Sequence, residues 1–163
     1  MKIRFLLFVV MAIALASTAR AQTKLSGTLH CNKADPAHSI DVGDHEKHSM
    51  AVTRVQCTWT KPFEMAGSQT KEGTSVELGE TTGDKSNGHG VHWGTMATGD
   101  KYFVRYQGTS AGKDGAPPTI SGTWSFTGGT GKLKGLTGKG TYKGKGNPDG
   151  GATFDVVGDY KLP

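Results

Sequence analysis

The amino-acid sequence predicts an all-β protein, and more particularly an eight-stranded antiparallel barrel that closes on itself. Glycine is frequent, at 25 of 163 residues, well above the average of about 7%. Short runs alternate between apolar and polar residues, which is the period of a half-buried strand, and helical periodicity is nearly absent after residue 21. Strands joined by glycine-containing turns favour a meander whose closure removes its free edges. A two-sheet β-sandwich is the alternative, since periodicity does not separate the two.

The alternating runs define eight strands in order along the chain. They span residues 24–32, 49–59, 74–81, 89–97, 102–107, 120–127, 137–145 and 154–160. In the sixth run Ile120, Trp124 and Phe126 alternate with serine and threonine, which predicts one aromatic face and one hydroxyl face. Glycines inside the runs fit a strongly bent wall. Residues 62–66 are the exception, with room for a single helical turn.

Residues 1–21 have the pattern of a secretory signal peptide. Two basic residues begin it, an uncharged apolar run follows over residues 5–16, and residues 19–21 form a small-x-small cleavage site. We therefore expect cleavage before Gln22, export to the periplasm or the exterior, and a single barrel domain over residues 22–163. A retained membrane anchor is the alternative, but the apolar run is shorter than the ~20 residues that span a bilayer.

Removal of this segment changes the charge balance of the chain. Lys2, Arg4 and Arg20 leave with it and no acidic residue does, so the 19 Lys and Arg residues become 16 against 14 Asp and Glu. The formal charge falls from +5 to +2. Much of the apparent basicity is therefore targeting signal, and neither a specific nucleic-acid partner nor a membrane span after residue 21 is predicted. Composition leaves the oligomeric state open.

Cys31 and Cys57 are predicted to form a disulfide, because a cysteine pair in an exported domain enters an oxidising compartment. In the chain-entropy model, a bond that closes the loop from Cys31 to Cys57 contributes about 3 kcal/mol of stability. Metal ligation by the pair is the weaker interpretation, since there is no C-x-x-C spacing and no third thiol.

The segment FTGGTGKLKGLTGKG at residues 126–140 is rich in glycine and lysine but lacks the spacing of a phosphate-binding loop. A Walker loop needs serine or threonine after Gly-Lys, and here leucine or glycine follows every time. The dinucleotide pattern fails as well, because Lys134 stands where its third glycine belongs. We interpret the segment as a turn in the barrel wall with Leu133, Leu136 and Tyr142 pointing inward.

The lysines of this segment and of the strand after it predict a positive face over residues 132–145. Five lysines and no acidic residue lie between Gly128 and Gly146. Such a face can contact an anionic surface or polymer through charge alone. A solvated outer strand, protected by lysine against edge pairing, is the alternative.

Two segments resemble known proteins. FTGGTGKLKGLTGKGTYKGKG, followed by GGATFDVVGDYKLP, is similar to the C-terminal half of the allene oxide cyclase and dirigent barrel superfamily. CTWTKPFEMAGSQTKEG, together with that tail, resembles a group of small exported bacterial proteins without assigned function. The superfamily resemblance implies an eight-stranded barrel. It brings no catalytic residue, because none of Glu64, Glu72, Glu77 and Glu80 aligns with a functional carboxylate of either family.

Histidines are concentrated in the segment HSIDVGDHEKHS. His38, His45 and His48 lie there beside carboxylates, and imidazole with carboxylate is a ligand set for zinc or copper. The spacing of His45 and His48 misses the zincin pattern by one residue, so a polar turn is favoured, and no metal or cofactor is assigned. His89 and His92 fall on opposite faces of a predicted strand, which places one of them inside.

Three functions follow as hypotheses. The first is binding of a small apolar or aromatic molecule in the lumen, with Trp59, Trp93, Tyr106 and Trp124 in its wall; an internal cavity of ~300 Å³ or more supports it. The second is an enzyme of the cyclase or isomerase sort, in which Arg105 or a glutamate such as Glu80 stabilises charge. It requires a carboxyl of raised pKa inside that cavity. The third is an interaction protein that uses the lysine face.

Overall fold

The computed structural model describes residues 22–112 and 116–163. The predicted signal peptide lies outside these residues. The strands are β1 Thr23–Cys31, β2 Ala37–Asp41, β3 His48–Lys61, β4 Glu64–Met65, β5 Ser68–Thr82, β6 Lys85–Met96, β7 Lys101–Ala111, β8 Thr119–Gly129, β9 Thr137–Gly146 and β10 Ala152–Lys161. A 3₁₀ helix, Gly131–Leu133, joins β8 to β9. Over these two ranges, no helix has the length and apolar character needed to cross a bilayer.

Eight of the strands form a closed antiparallel barrel, which confirms the predicted fold class. The order around the wall is β1, β10, β9, β8, β7, β6, β5 and β3, and β3 returns to β1. This closure rules out the two-sheet sandwich. The other two strands are additions, since β2 pairs only with β3 and β4 only with β5.

Each of the eight predicted runs falls on one barrel strand, and the two added strands are what the sequence did not indicate. β2 has no buried residue, so it carries no apolar period that could mark it as a strand. The helical turn expected over residues 62–66 is wrong. Ala66 and Gly67 both have positive φ, 51° and 76°, the signature of a tight hairpin turn, and that turn joins β4 to β5.

The hydrophobic core fills one end of the barrel. Its largest fully buried side chains are Tyr102, Met65, Met96, Leu133 and Leu136. The inward orientation predicted for the two leucines is confirmed, and together with the 3₁₀ helix they close this end. We call it the filled end; the opposite end, where turns join β5 to β6 and β9 to β10, is the open end.

The predicted disulfide is confirmed and lies where the barrel closes. Cys31 and Cys57 are bonded and stand directly opposite each other on β1 and β3, with Cα atoms 4.0 Å apart. The ladder between these two strands is the shortest of the eight that form the wall. The covalent bond therefore reinforces the barrel at the junction with the fewest paired residues.

Candidate functional site: a cavity inside the barrel

The barrel encloses a cavity of about 500 Å³ that extends from the filled end toward the open end. All eight barrel strands contribute to its lining. The volume lies within the range of small-molecule sites, roughly 300–1,000 Å³. It also exceeds the ~300 Å³ that the lumen-binding hypothesis requires.

One row of inward positions in the barrel wall carries almost no side chain of its own. Directly paired residues on five consecutive strands of the wall form this small-residue row, which consists of Ala51, Gly79, Gly88, Gly108 and Gly122. Inward side chains of a closed barrel otherwise meet in the middle and fill it. In this row the space over Gly79 stays open to the lumen, whereas the Tyr142 hydroxyl covers Gly108 and Gly122, where an added Cβ would lie 2.2 and 2.3 Å from it.

Nearer the filled end, inward glycines accommodate aromatic rings from the neighbouring strand. Gly94 stands opposite Tyr102, and Gly140 stands opposite Trp124. A Cβ at Gly94 would lie 2.1 Å from the Tyr102 ring, and one at Gly140 would lie 2.6 Å from the Trp124 ring. The space beside these two glycines is therefore filled by the aromatic side chains of their ladder partners. By contrast, a Cβ at Gly79 in the small-residue row would meet no atom closer than 3.6 Å.

Glu77 is the one carboxyl group among the described cavity-lining residues. It lies on β5 in the same cross-strand row as Gly90 and Tyr106. Because Gly90 between them has no side chain, the Tyr106 hydroxyl reaches the carboxyl and the two share a hydrogen bond. A Cβ at Gly90 would lie 2.7 Å from that hydroxyl, so the contact depends on this glycine.

Burial shifts the pKa values of both groups. Loss of hydration raises the pKa of Glu77 above its ordinary value, although the hydrogen bond with Tyr106 acts in the opposite direction. Burial, with the Glu77 carboxyl as a second cause, raises the pKa of Tyr106 as well. The neighbouring Tyr142 has its pKa raised to about 12, chiefly by burial. Burial therefore favours the protonated form of Glu77 relative to a glutamate exposed to water, and the Tyr106 hydroxyl partly offsets this.

A chain of hydrogen bonds links this pair to the filled end. Trp59 donates to the Tyr102 hydroxyl over 2.8 Å, and that hydroxyl lies 3.5 Å from Nε2 of His92. Nδ1 of His92 is 2.9 Å from Oγ of Ser75, which in turn bonds with Tyr106. Because burial lowers the pKa of His92 to about 4, the ring is neutral near neutral pH, so one of its nitrogens donates a hydrogen bond and the other accepts one.

The rest of the lining is apolar or neutral. No lysine, arginine or aspartate belongs to the described residues around the cavity. Aromatic rings meet edge to face within it, with centroids 6.4 Å apart for Tyr106 and Tyr142 and 5.8 Å apart for Tyr142 and Phe154. A lumen of this composition suits an uncharged molecule with an apolar or aromatic body.

The structure brings three of the predicted site residues together and separates the other three. Trp59, Tyr106 and Trp124 line the cavity. Trp93 and Arg105 instead border a shallow groove on the outer wall. Since side chains alternate along a strand and His92 faces inward, its neighbour Trp93 faces outward.

Glu80 also lies on the outer face, one strand position beyond the inward-facing Gly79, where it bonds with His48. The candidate site therefore loses Trp93, Arg105 and Glu80. It gains Glu77 in their place, a residue that the sequence analysis did not separate from the other glutamates. The alternation that marks β5 as a strand contains the signal, but Val76 and Leu78 make the other face of that strand the apolar one.

The lysine face is exposed as predicted but is not uniformly positive. Lys132, Lys134, Lys139, Lys143 and Lys145 are all exposed. The neighbouring strand β10 places Asp159 opposite Lys139 and Asp155 opposite Lys143. Two of the five positive charges therefore have an acidic partner directly across the ladder, which weakens the case for an anionic polymer.

Comparison with known proteins supports the barrel fold. No protein-family model matches the chain, and no curated protein matches it in sequence. Solved structures do match. The chain is similar to a protein of unknown function from the DUF3224 family of Shewanella oneidensis MR-1, with 13% identity over 88% of this chain and 98% of that one, and a TM-score of 0.50.

It is also similar to pyocyanin demethylase, with 18% identity over 82% of this chain and 99% of that one, and a TM-score of 0.42. At 13% identity the likeness to the DUF3224 protein bears on the fold alone, and with a TM-score of 0.42 the likeness to the demethylase carries no argument. The relation to the allene oxide cyclase and dirigent superfamily stays a prediction.

Proposed function

We propose that the protein is exported and binds a small, uncharged aromatic or apolar molecule inside its barrel. The observation that carries this proposal is the cavity of about 500 Å³. Aromatic rings line it, and Glu77 is the one carboxyl group among its described lining residues. The Cys31–Cys57 disulfide supports export, because such bonds persist in oxidising compartments.

Binding would rest on two kinds of contact. Tyr142 and Phe154 present ring surface to an apolar body, and such contacts contribute mainly through the area removed from water. Glu77 and Tyr106 supply the polar contact, since a carboxyl group and a phenol hydroxyl can each form a hydrogen bond with a polar group of the bound molecule. An anionic molecule would find no cation among the described lining residues and is excluded.

The direct test is native mass spectrometry of the protein purified from the export compartment of its own host. We expect the wild-type chain to carry one retained molecule of a few hundred daltons. The Gly79→Leu variant should lose it, because the new side chain points into the cavity from a position with free space around it. Ser121→Leu, which adds the same side chain to the exposed outer face, is the matched control and should retain it. If the wild-type protein shows only the mass of its polypeptide chain, with no retained molecule, the proposal is contradicted.

A second function, catalysis of the cyclase or isomerase sort, is favoured by one observation. Of the four glutamates considered from sequence, Glu77 lies in the cavity, and its pKa is raised by burial. A carboxyl with a raised pKa in an apolar pocket is a candidate for general acid or base chemistry. In this function Glu77 takes the part that the sequence analysis gave to Glu80 or Arg105.

The two functions are separated by what happens to the bound molecule. The molecule released from wild type is incubated with fresh wild type and with Glu77→Gln, which keeps the size of the side chain but does not ionise. An isomerase converts it to a species of equal mass and different chromatographic retention, and Glu77→Gln does not. If the chromatographic retention of the molecule is unchanged after incubation with either protein, the enzymatic function is wrong and the binding function stands.

A further inference from the structure

The loop between β2 and β3 brings two histidines and an aspartate together at the open end of the barrel. Oδ1 of Asp44 lies 3.0 Å from Nδ1 of His45 and 2.5 Å from Nδ1 of His48. One potential ligand atom from each of the three residues lies within 4.8 Å of the others. The two imidazole rings stack with centroids 4.4 Å apart. Neither the cavity nor its proposed ligand uses these groups.

The backbone holds this arrangement on both sides of the loop. Val42 donates to the His48 carbonyl over 3.0 Å, and Gly83, in the turn between β5 and β6, donates to the Lys47 carbonyl over 3.1 Å. Within the loop, the amide of His45 donates to Oδ1 of Asp44 over 2.9 Å. The three ligand-type side chains are therefore presented from an anchored loop.

A second carboxylate orients one of the histidines. Nε2 of His48 lies 2.9 Å from Oε1 of Glu80 on β5, while Nδ1 of the same ring faces Asp44. A histidine that binds a metal through one ring nitrogen commonly gives the other N–H to a carboxylate, which fixes the ring and raises its basicity. Glu80 stands in that position, on a different strand from the loop.

We propose that Asp44, His45 and His48 form a binding site for one divalent transition-metal ion, with Glu80 as the positioning residue for His48. Two imidazole nitrogens and one carboxylate oxygen suit zinc, copper or nickel better than calcium or magnesium, which prefer sets made of oxygen alone. The ion would replace any proton on the coordinating nitrogen of each ring and release it to solvent, while His48 keeps the proton on the nitrogen that faces Glu80; the site would tie the β2–β3 loop to the end of β5. Solvent completes the coordination, because the loop is exposed.

The test is calorimetric titration of Zn²⁺ into the protein prepared without a polyhistidine tag. Wild type is expected to bind one Zn²⁺ per chain, Cu²⁺ more tightly, and Mg²⁺ not at all. His45→Ala and Asp44→Asn should each weaken Zn²⁺ binding at least about tenfold. Both residues are exposed, so these variants should keep the fold. Glu80→Gln should weaken binding about tenfold or more through loss of orientation.

Two control variants locate the site. His38→Ala and His89→Ala remove exposed histidines outside the cluster and should bind Zn²⁺ as wild type does. The electron paramagnetic resonance spectrum of the Cu²⁺ complex should show coupling to two nitrogens in wild type and to one in His45→Ala. Equal Zn²⁺ affinity in wild type and His45→Ala, an equal loss in His38→Ala, or no Zn²⁺ binding by wild type would each overturn the proposal.

Discussion

The two ends of the barrel are built from the same strands and the same abundant glycine, yet they differ in what faces each glycine. At the filled end Gly94 is covered by the Tyr102 ring, which leaves no room for a single added carbon. At the open end Gly79 belongs to the small-residue row, and the space above it is the cavity. An inward glycine can thus receive a ring from the next strand, as Gly94 does, or border the lumen, as Gly79 does.

The largest expected effect concerns the covalent bond that supports both ends. Replacing Cys31 and Cys57 together by alanine should lower the free energy of unfolding by about 3 kcal/mol, as the chain-entropy model gives for a loop of this size. Urea denaturation of the variant and of wild type measures the difference. Since the bond crosses the shortest ladder of the wall, a loss below about 1 kcal/mol would show that β1 and β3 hold together without it.

The comparison of the two ends is tested by one substitution made in each. Gly94→Ala should destabilise by about 2–3 kcal/mol, since the added carbon overlaps a fully buried ring in a packed core. Gly79→Ala should leave stability unchanged or raise it by about 0.5 kcal/mol, because the carbon enters free space and alanine loses less backbone entropy on folding. Equal thermal stability of the two variants would contradict the distinction between the ends.

His92, which lines the cavity beside the filled end, predicts a dependence of stability on pH. Burial lowers its pKa to about 4 in the folded protein, against 6.5 for the free side chain. Between these values the unfolded chain binds the extra proton, so stability falls as pH drops from about 6.5 toward 4, by up to about 1.4 kcal/mol per pH unit. His92→Gln should remove this contribution, up to about 1.4 kcal/mol per pH unit. Denaturation at several pH values between about 4 and 6.5 measures how the free energy of unfolding depends on pH in both proteins. The raised pKa of Glu77 acts in the opposite direction but is common to both proteins. An unchanged slope would mean that His92 is not buried as a neutral ring.

The smallest effect is expected on the outer wall, away from both ends. Lys139→Ala should change stability by less than about 1 kcal/mol, because cross-strand pairs between exposed charges contribute little. Asp159, its partner on β10, also accepts a bond from Lys24 over 3.5 Å, so it keeps a cation in the variant. The effect should shrink further at high salt. A loss above 2 kcal/mol that persists in salt would show packing at this position that the described contacts do not include.

Much of the fold was predictable because it follows from period-two alternation along single strands. The eight barrel strands, the inward leucines at 133 and 136 and the disulfide all rest on patterns local to one or two segments. β2 was not predictable, since exposure on both faces leaves no apolar signal. Cys31 and Cys57 were paired from the compartment and their number, without knowledge of the register.

The candidate site was less predictable because it depends on register between strands. Trp59, Tyr106 and Trp124 follow from alternation, but the meeting of Glu77 and Tyr106 requires Gly90 between them in one row, which no single run reveals. The outward-facing side of β5 is also the more apolar one. Leu78 is 51% exposed, so the usual assumption that apolar residues point inward selects the wrong face there and hides Glu77.

Ligand binding depends most on an open lumen, and titration with 1-aminoanthracene tests directly whether the lumen is open. This flat, uncharged aromatic amine becomes more fluorescent in apolar surroundings. Two of the three tryptophans, Trp59 and Trp124, line the cavity. They should transfer excitation energy to the bound dye. We predict saturable binding at one molecule per chain to wild type and to Ser121→Leu, and at least a tenfold loss in Gly79→Leu. Equal affinity for Gly79→Leu and wild type would contradict the central claim.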